Sequence, residues 1–187
     1  YYNKPSQEGL YRHFEAVARE TDLPLVLYNV PGRTSVNMQS KTVVRLAQIK
    51  NIAGIKEASG SLQQIGEIIK LCPSDFTVLS GDDGLLWPLL ALGAKGVISV
   101  AANILPDKMF QLCQAAAQGD MIKAREVHYE LFRINEALFL ETNPVPVKTA
   151  LALMGKIENE LRLPLAPLSP DNLQKLTATL QEYCLVK

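Results

Sequence analysis

Up to about residue 100 the chain alternates between two hydrophobic rhythms. Leu10, Phe14 and Val17 recur at spacings of four and three, behind Ser6 and Glu8. That pattern predicts an amphipathic helix capped by Ser6 and running to about Thr21. Leu23–Pro31 is then a short apolar run between prolines, which predicts a buried strand. The alternation continues with a helix near 40–49, a strand over 51–58, a helix over 61–72, a strand over 76–80, a helix over 85–92 and a strand over 96–100. Strands separated by helical segments predict parallel pairing through crossover helices. Beyond Ala102 the strand pattern stops, and helices are expected over 106–118, 120–140, 145–155 and 170–185. In the second of these, Ile122, Val127, Leu131, Ile134 and Leu138 form a stripe that reads as core.

Four strand–helix units do not close an eight-stranded barrel, which takes roughly 250 residues. The pattern therefore predicts an α/β fold of one of two kinds: an open four-stranded sheet, or the C-terminal half of a (βα)8 TIM barrel. In the second case residues 1–102 are the barrel half. Residues 103–187 are then the last barrel helix and a C-terminal helical extension within the same domain. The chain opens at Tyr1-Tyr2-Asn3, within a loop pattern and without Met, so further residues upstream are expected.

Composition narrows the function classes. The 187 residues carry 19 Lys+Arg against 19 Asp+Glu, with 6% aromatics, a balance that argues against a nucleic-acid or anionic-membrane binder. The three cysteines and two histidines are scattered. They offer no disulfide framework and no zinc spacing, which fits a reducing cytoplasm and argues against a bound metal. No apolar run is long enough for a membrane span.

Lys56 is the first candidate for chemistry. It stands near the C-terminal end of the 51–58 strand, and alternation puts Ile52, Gly54 and Lys56 on one face. A lysine turned inward there is disfavoured as a cation, and a neutral amine is what Schiff-base chemistry requires. The plainer alternative is a lysine that reaches water or pairs with Glu57. Tyr28 occupies the equivalent place on the preceding strand, where a phenol can shuttle protons or simply fill the core. Arg33 follows in a Gly-Arg-Thr loop, and its planar fork suits a carboxylate, although a surface arginine is the commoner case. The C-terminal strand ends of a parallel barrel share one rim, where such enzymes hold their sites. Gly81-Asp82-Asp83-Gly84 lacks both P-loop and EF-hand spacing and reads as a turn with a helix cap.

Six segments together carry a resemblance: Tyr1-Tyr2-Asn3-Lys4-Pro5, Tyr28–Thr34 (YNVPGRT), Gly54–Gly60 (GIKEASG), Ser80–Asp83, Gly96–Val100 and Asn143–Lys148 (NPVPVK). In this order they resemble the class I aldolase family that contains dihydrodipicolinate synthase and N-acetylneuraminate lyase. The resemblance implies the C-terminal half of a TIM barrel, and a lyase without cofactor or metal. It implies that Lys56 forms an imine with pyruvate and that the derived enamine attacks aspartate-4-semialdehyde, in lysine and diaminopimelate biosynthesis. It further implies that Tyr28 transfers protons and that Arg33 holds the semialdehyde carboxylate. Gly81 and Ile98 would shape the pyruvate pocket. Tyr2 would lend its hydroxyl to a proton relay across a dimer interface. Tyr1 would lie where lysine binds as feedback inhibitor, in a homo-oligomer built as a dimer of dimers. Arg33 favours the synthase branch over another pyruvate aldolase of the family.

The family's threonine loop for the pyruvate carboxylate has no counterpart in these residues. A chain of this extent is therefore expected to be inactive by itself. The alternative is a non-catalytic oligomerisation module. With no opposite wall, Val26, Ile52, Val78 and Ile98 are expected to meet water, leaving the chain aggregated, molten or dependent on a partner fragment.

Overall fold

The computed structural model describes residues 2–187. The chain divides into two compact units, Tyr1–Ile98 and Ser99–Lys187.

The first unit alternates helix and strand as the pattern predicts. Its helices are α1 (Gln7–Arg19), α2 (Pro31–Thr34), α3 (Ser40–Leu46), α4 (Leu62–Leu71) and α5 (Leu86–Leu92). Its strands are β1 (Leu25–Asn29), β2 (Ile52–Glu57), β3 (Thr77–Ser80) and β4 (Gly96–Val97). The four strands form one parallel sheet in the order β1-β2-β3-β4. Ser6 caps α1 by accepting from the Gly9 amide at 3.2 Å, and Ser61 caps α4 by accepting from Gln64 at 3.1 Å. The Gly-Arg-Thr loop expected after β1 is a one-turn helix. Pro31 presets its first residue, and the Ser35 amide closes it on the Pro31 carbonyl at 2.8 Å.

Register decides which side chains face the helices. Tyr28 pairs with Lys56, Leu27 with Ile55 and Asn29 with Glu57. Ile55 pairs in turn with Val78. Leu27, Ile55 and Val78 are buried with Val43, Leu46, Ile65 and Ile68, which is the hydrophobic core of this unit. Val26 and Tyr28 lie on the other face.

Two of the residues expected to meet water are therefore misplaced. Val26 and Ile98 are 49% and 47% exposed, but Ile52 and Val78 are buried. For Ile52 the cause is an irregularity at the start of the pairing: Leu25 opposes Ile52, yet the next residue, Val26, opposes Gly54. The extra residue, Ala53, reverses the facing of Ile52 relative to Gly54 and Lys56. Val78 is buried because its partner Ile55 belongs to the helix-covered row. Half of the exposure expected of the isolated sheet is thus absent.

β4 ends sooner than the expected 96–100. The Ile98 amide still bonds the Ser80 carbonyl at 2.9 Å. The chain then turns, with Ser99 Oγ accepting from Ala102 at 2.8 Å, into a 3-10 turn over Ala101–Asn103.

The second unit is helical: α6 (Pro106–Ala117), α7 (Met121–Glu130), α8 (Phe132–Ala137), α9 (Val145–Leu153) and α10 (Pro170–Glu182). Val127, Leu131, Ile134 and Leu138 are buried as the stripe predicts, and Ile122 is exposed. The single helix expected over 120–140 is broken between α7 and α8 by a side chain. The Tyr183 hydroxyl accepts from the Ile134 amide at 3.4 Å and donates to the Glu130 carbonyl. It sits between the two groups that would otherwise bond each other in a continuous helix. Among the described residues, no helix is long and apolar enough to cross a membrane.

Candidate active site

The pairing of β1 with β2 sets the site. Because Tyr28 and Lys56 are register partners in a parallel ladder, their side chains leave the sheet side by side. The Lys56 amine stands 4.1 Å from the centre of the Tyr28 ring, over its face. An ammonium there gains about 0.5–1 kcal/mol from the ring. Lys56 is half-buried and Tyr28 exposed. A cavity of about 460 Å³ adjoins Tyr28 between α1 and the end of β1, with Leu10, His13, Phe14 and Val30 in its wall.

Gly81 completes the cluster. It follows β3 directly, and its amide donates to the Glu57 carbonyl at 2.8 Å. A Cβ at this position would lie 2.8 Å from Ala58 Cβ and 3.1 Å from Lys56 Cε. A side chain at 81 would press hardest on Ala58, and Lys56 Cε would have to give by a few tenths of an ångström. Gly54, on the same face, is needed for pairing, since a Cβ there would run into the Thr77 carbonyl oxygen.

Glu57 does not pair with Lys56. It points to the opposite face and is 1% exposed. Its carboxylate accepts from Asn29 Nδ2 at 3.1 Å on both oxygens, from the Ser59 amide at 2.7 Å and from Gln64 Nε2 at 3.3 Å. Sequence reading missed this cluster, because its members are separated along the chain and only the register joins Asn29 to Glu57.

The structure thus sets the Lys56 amine over the Tyr28 ring and Gly81 beside the Lys56 side chain. Arg33 lies in α2, just beyond the end of β1, and is exposed. Ile98 reaches the same end of the sheet through its bond to Ser80. Tyr2 is on the surface in the irregular segment before α1, and Tyr1 lies outside the described residues. Asp82 caps the turn after β3 by accepting from the Gly84 amide at 2.8 Å, as the GDDG pattern predicts. Lys148, in α9, donates to the Glu160 carbonyl. Among the described residues no group of His, Cys, Asp and Glu could hold a metal ion.

A model of the dihydrodipicolinate synthetase family matches residues 1–183. The chain belongs to this family. It is 56% identical over 187 residues to the 4-hydroxy-tetrahydrodipicolinate synthase of Thermodesulfovibrio yellowstonii, covering all of this chain and 64% of the relative. The crystal structure of dihydrodipicolinate synthase from Aquifex aeolicus superposes with a TM-score of 0.97 at 49% identity, over 99% of this chain and 64% of that one. The chloride-inhibited dihydrodipicolinate synthase of Acinetobacter baumannii, complexed with pyruvate, gives a TM-score of 0.96 at 45% identity, over 100% and 64%. The chain therefore spans just under two thirds of the length of these family members. Its parallel strands and crossover helices match the C-terminal half of the (βα)8 barrel, and the dihydrodipicolinate synthetase family is the one to which the six sequence segments point.

Proposed function

We propose that these residues form part of a Schiff-base lyase that condenses pyruvate with aspartate-4-semialdehyde to 4-hydroxy-tetrahydrodipicolinate, in lysine and diaminopimelate biosynthesis. The observation that carries the reading is the Lys56 amine held 4.1 Å from the Tyr28 ring centre at a strand end, with Gly81 leaving it room. The names of the family members support the choice of reaction, and the pyruvate complex of one of them supports the first substrate.

In this reading the neutral Lys56 amine attacks the keto carbon of pyruvate. The carbonyl oxygen leaves as water and an iminium remains. The cation draws electrons from the methyl group, which loses a proton to give the enamine. The enamine carbon attacks the aldehyde carbon of the semialdehyde. The semialdehyde's amine then closes the ring on the imine carbon, which releases Lys56. Tyr28 carries protons in imine formation and ring closure, since a phenol both donates and accepts. Ile98 and Gly81 border the pyruvate, and Arg33 offers two parallel N–H groups to the semialdehyde carboxylate. Tyr2 serves a relay shared with a second subunit of a homo-oligomer.

The test uses a chimera in which the uncovered third of the Thermodesulfovibrio relative is supplied to this chain. Borohydride with pyruvate should leave a reduced three-carbon adduct on the peptide containing Lys56, and Lys56→Ala should abolish it. An adduct on Lys95 or Lys148 would overturn the assignment. Arg33→Ala should raise the KM for the semialdehyde about tenfold or more, equivalent to losing a charged hydrogen bond of about 1.5–3 kcal/mol. The KM for pyruvate should stay unchanged, and equal effects on both substrates would remove Arg33 from this role.

A further inference from the structure

The helix-covered face of the sheet changes character at one level. The row formed by Leu27, Ile55 and Val78 is apolar. Two residues further along the strands, the same face carries Asn29, Glu57 and Ser80, all polar and all buried. Burying a carboxylate costs several kcal/mol unless its lone pairs are matched, and an apolar residue of similar size usually gives more stability. The Glu57 oxygens are matched by amide donors: Asn29 Nδ2, the Ser59 amide and Gln64 Nε2. This arrangement stands directly behind the pair that projects from the other face, since Asn29 follows Tyr28 and Glu57 follows Lys56.

Residue 57 is also clamped through its main chain. The Ala58 amide donates to the Asn29 carbonyl at 2.9 Å, and the Gly81 amide donates to the Glu57 carbonyl at 2.8 Å. The clamp extends outward, because Asn29 Oδ1 accepts from the Met38 amide at 2.9 Å and Asn37 Nδ2 donates to Gln64 Oε1 at 2.8 Å. A slip of one residue between β1 and β2 would turn Glu57 to the open face and Lys56 into the helix layer. The apolar row resists the same slip, because its side chains would be turned out to water, and the carboxylate adds donors that must be met from one direction.

We propose that the buried Glu57–Asn29 pair is a positioning device that fixes the direction of the Lys56 amine toward Tyr28 from the opposite face of the sheet. The inference rests on Lys56 being the imine-forming amine. Neither Glu57 nor Asn29 touches substrate in it. They act through the backbone of β1 and β2, and through the turn after β2 that Ser59 anchors.

The chimera serves as the test. Glu57→Gln keeps the shape but sets an NH2 group against donors from Asn29, Ser59 or Gln64. It should lower kcat at least tenfold, with the pyruvate KM within about threefold of the parent. Asn29→Asp should do the same by facing two carboxylates. The double variant Glu57→Gln with Asn29→Asp exchanges the two groups across the pair and should recover at least fivefold of the lost kcat. A purely structural role would lower the melting midpoint and leave turnover per folded molecule unchanged. If Glu57→Gln does not fold, Gln64→Met removes one donor and should cost two- to fivefold in kcat.

Loss of Lys56 trapping in the unsubstituted chimera would remove the proposed reaction and this inference with it. Normal trapping in the parent, combined with full turnover in a folded Glu57→Gln or Gln64→Met variant, would overturn the positioning role alone. So would a double variant that recovers nothing.

Discussion

The two faces of the sheet in the first unit share one backbone but differ in what they hold. On the helix side, Leu27, Ile55 and Val78 exclude water, and the polar row above them is just as closed. On the other side, Val26, Tyr28 and Ile98 are exposed and Lys56 is half-buried. The period of two along each strand sends packed groups to one face and the candidate site groups to the other. In the proposed reading, a lysine that has to meet a substrate can therefore sit one peptide unit from a fully packed isoleucine. The difference teaches that substitutions on the two faces should have separable effects, and three measurements can break or sharpen it.

Ile55→Ala should have the largest effect on the fold. Ile55 is fully buried, so truncation should cost about 2–5 kcal/mol. This would be read as a fall in the denaturant midpoint of the chimera. A loss below about 1 kcal/mol would mean that the helix layer closes around the gap and that the face is not tightly packed.

Gly81→Ala should act mainly on chemistry. Its new methyl would crowd Ala58 Cβ and Lys56 Cε. Overpacking of this kind typically costs about 1–3 kcal/mol of stability; separately, displacement of the Lys56 side chain should slow borohydride trapping at Lys56 in the chimera. An unchanged rate would show that Lys56 moves aside at no cost.

Val26→Thr should have the smallest effect, since the side chain is half exposed on the open face. In the 187-residue chain its stability should stay within about 0.5 kcal/mol of the parent. A larger loss would show that this face is covered in solution, by a second copy or by another chain.

Much of this was legible in the sequence. Apolar runs bounded by proline and glycine placed β1, β2 and β3 to within a residue or two, because a buried strand leaves a local mark in composition. The GIKEASG and YNVPGRT segments put Lys56 and Tyr28 at neighbouring strand ends, where the structure places them. Features set by distant partners left no such mark. The facing of Ile52 depends on the irregularity opposite Leu25 and Val26, which no count of alternation within β2 contains. The buried acceptor role of Glu57 depends on Asn29 and Gln64, joined to it only by register and by the capping of α4. The short β4 reflects Ser99 turning the chain by a local hydrogen bond, where the apolar run alone favoured a longer strand.

The Tyr183 hydroxyl acts as a removable spacer inside the backbone of another segment. The groups it separates, the Ile134 amide and the Glu130 carbonyl, are each other's natural partners at helical spacing. Phenylalanine at 183 would leave two orphaned groups that can find one another, so α7 and α8 could fuse into one straight rod while α10 loses its hold on them. Alkali would act at the same point. Burial raises the Tyr183 pKa above its ordinary value of 10, because the phenolate is poorly solvated there. The unfolded chain then releases this proton first as the pH rises. The spacer's contribution is complete below pH 10 and fades as the pH climbs through the raised folded value. Above that range the phenolate has no proton to offer Glu130, and the junction of the two helices becomes the point where the second unit yields to base.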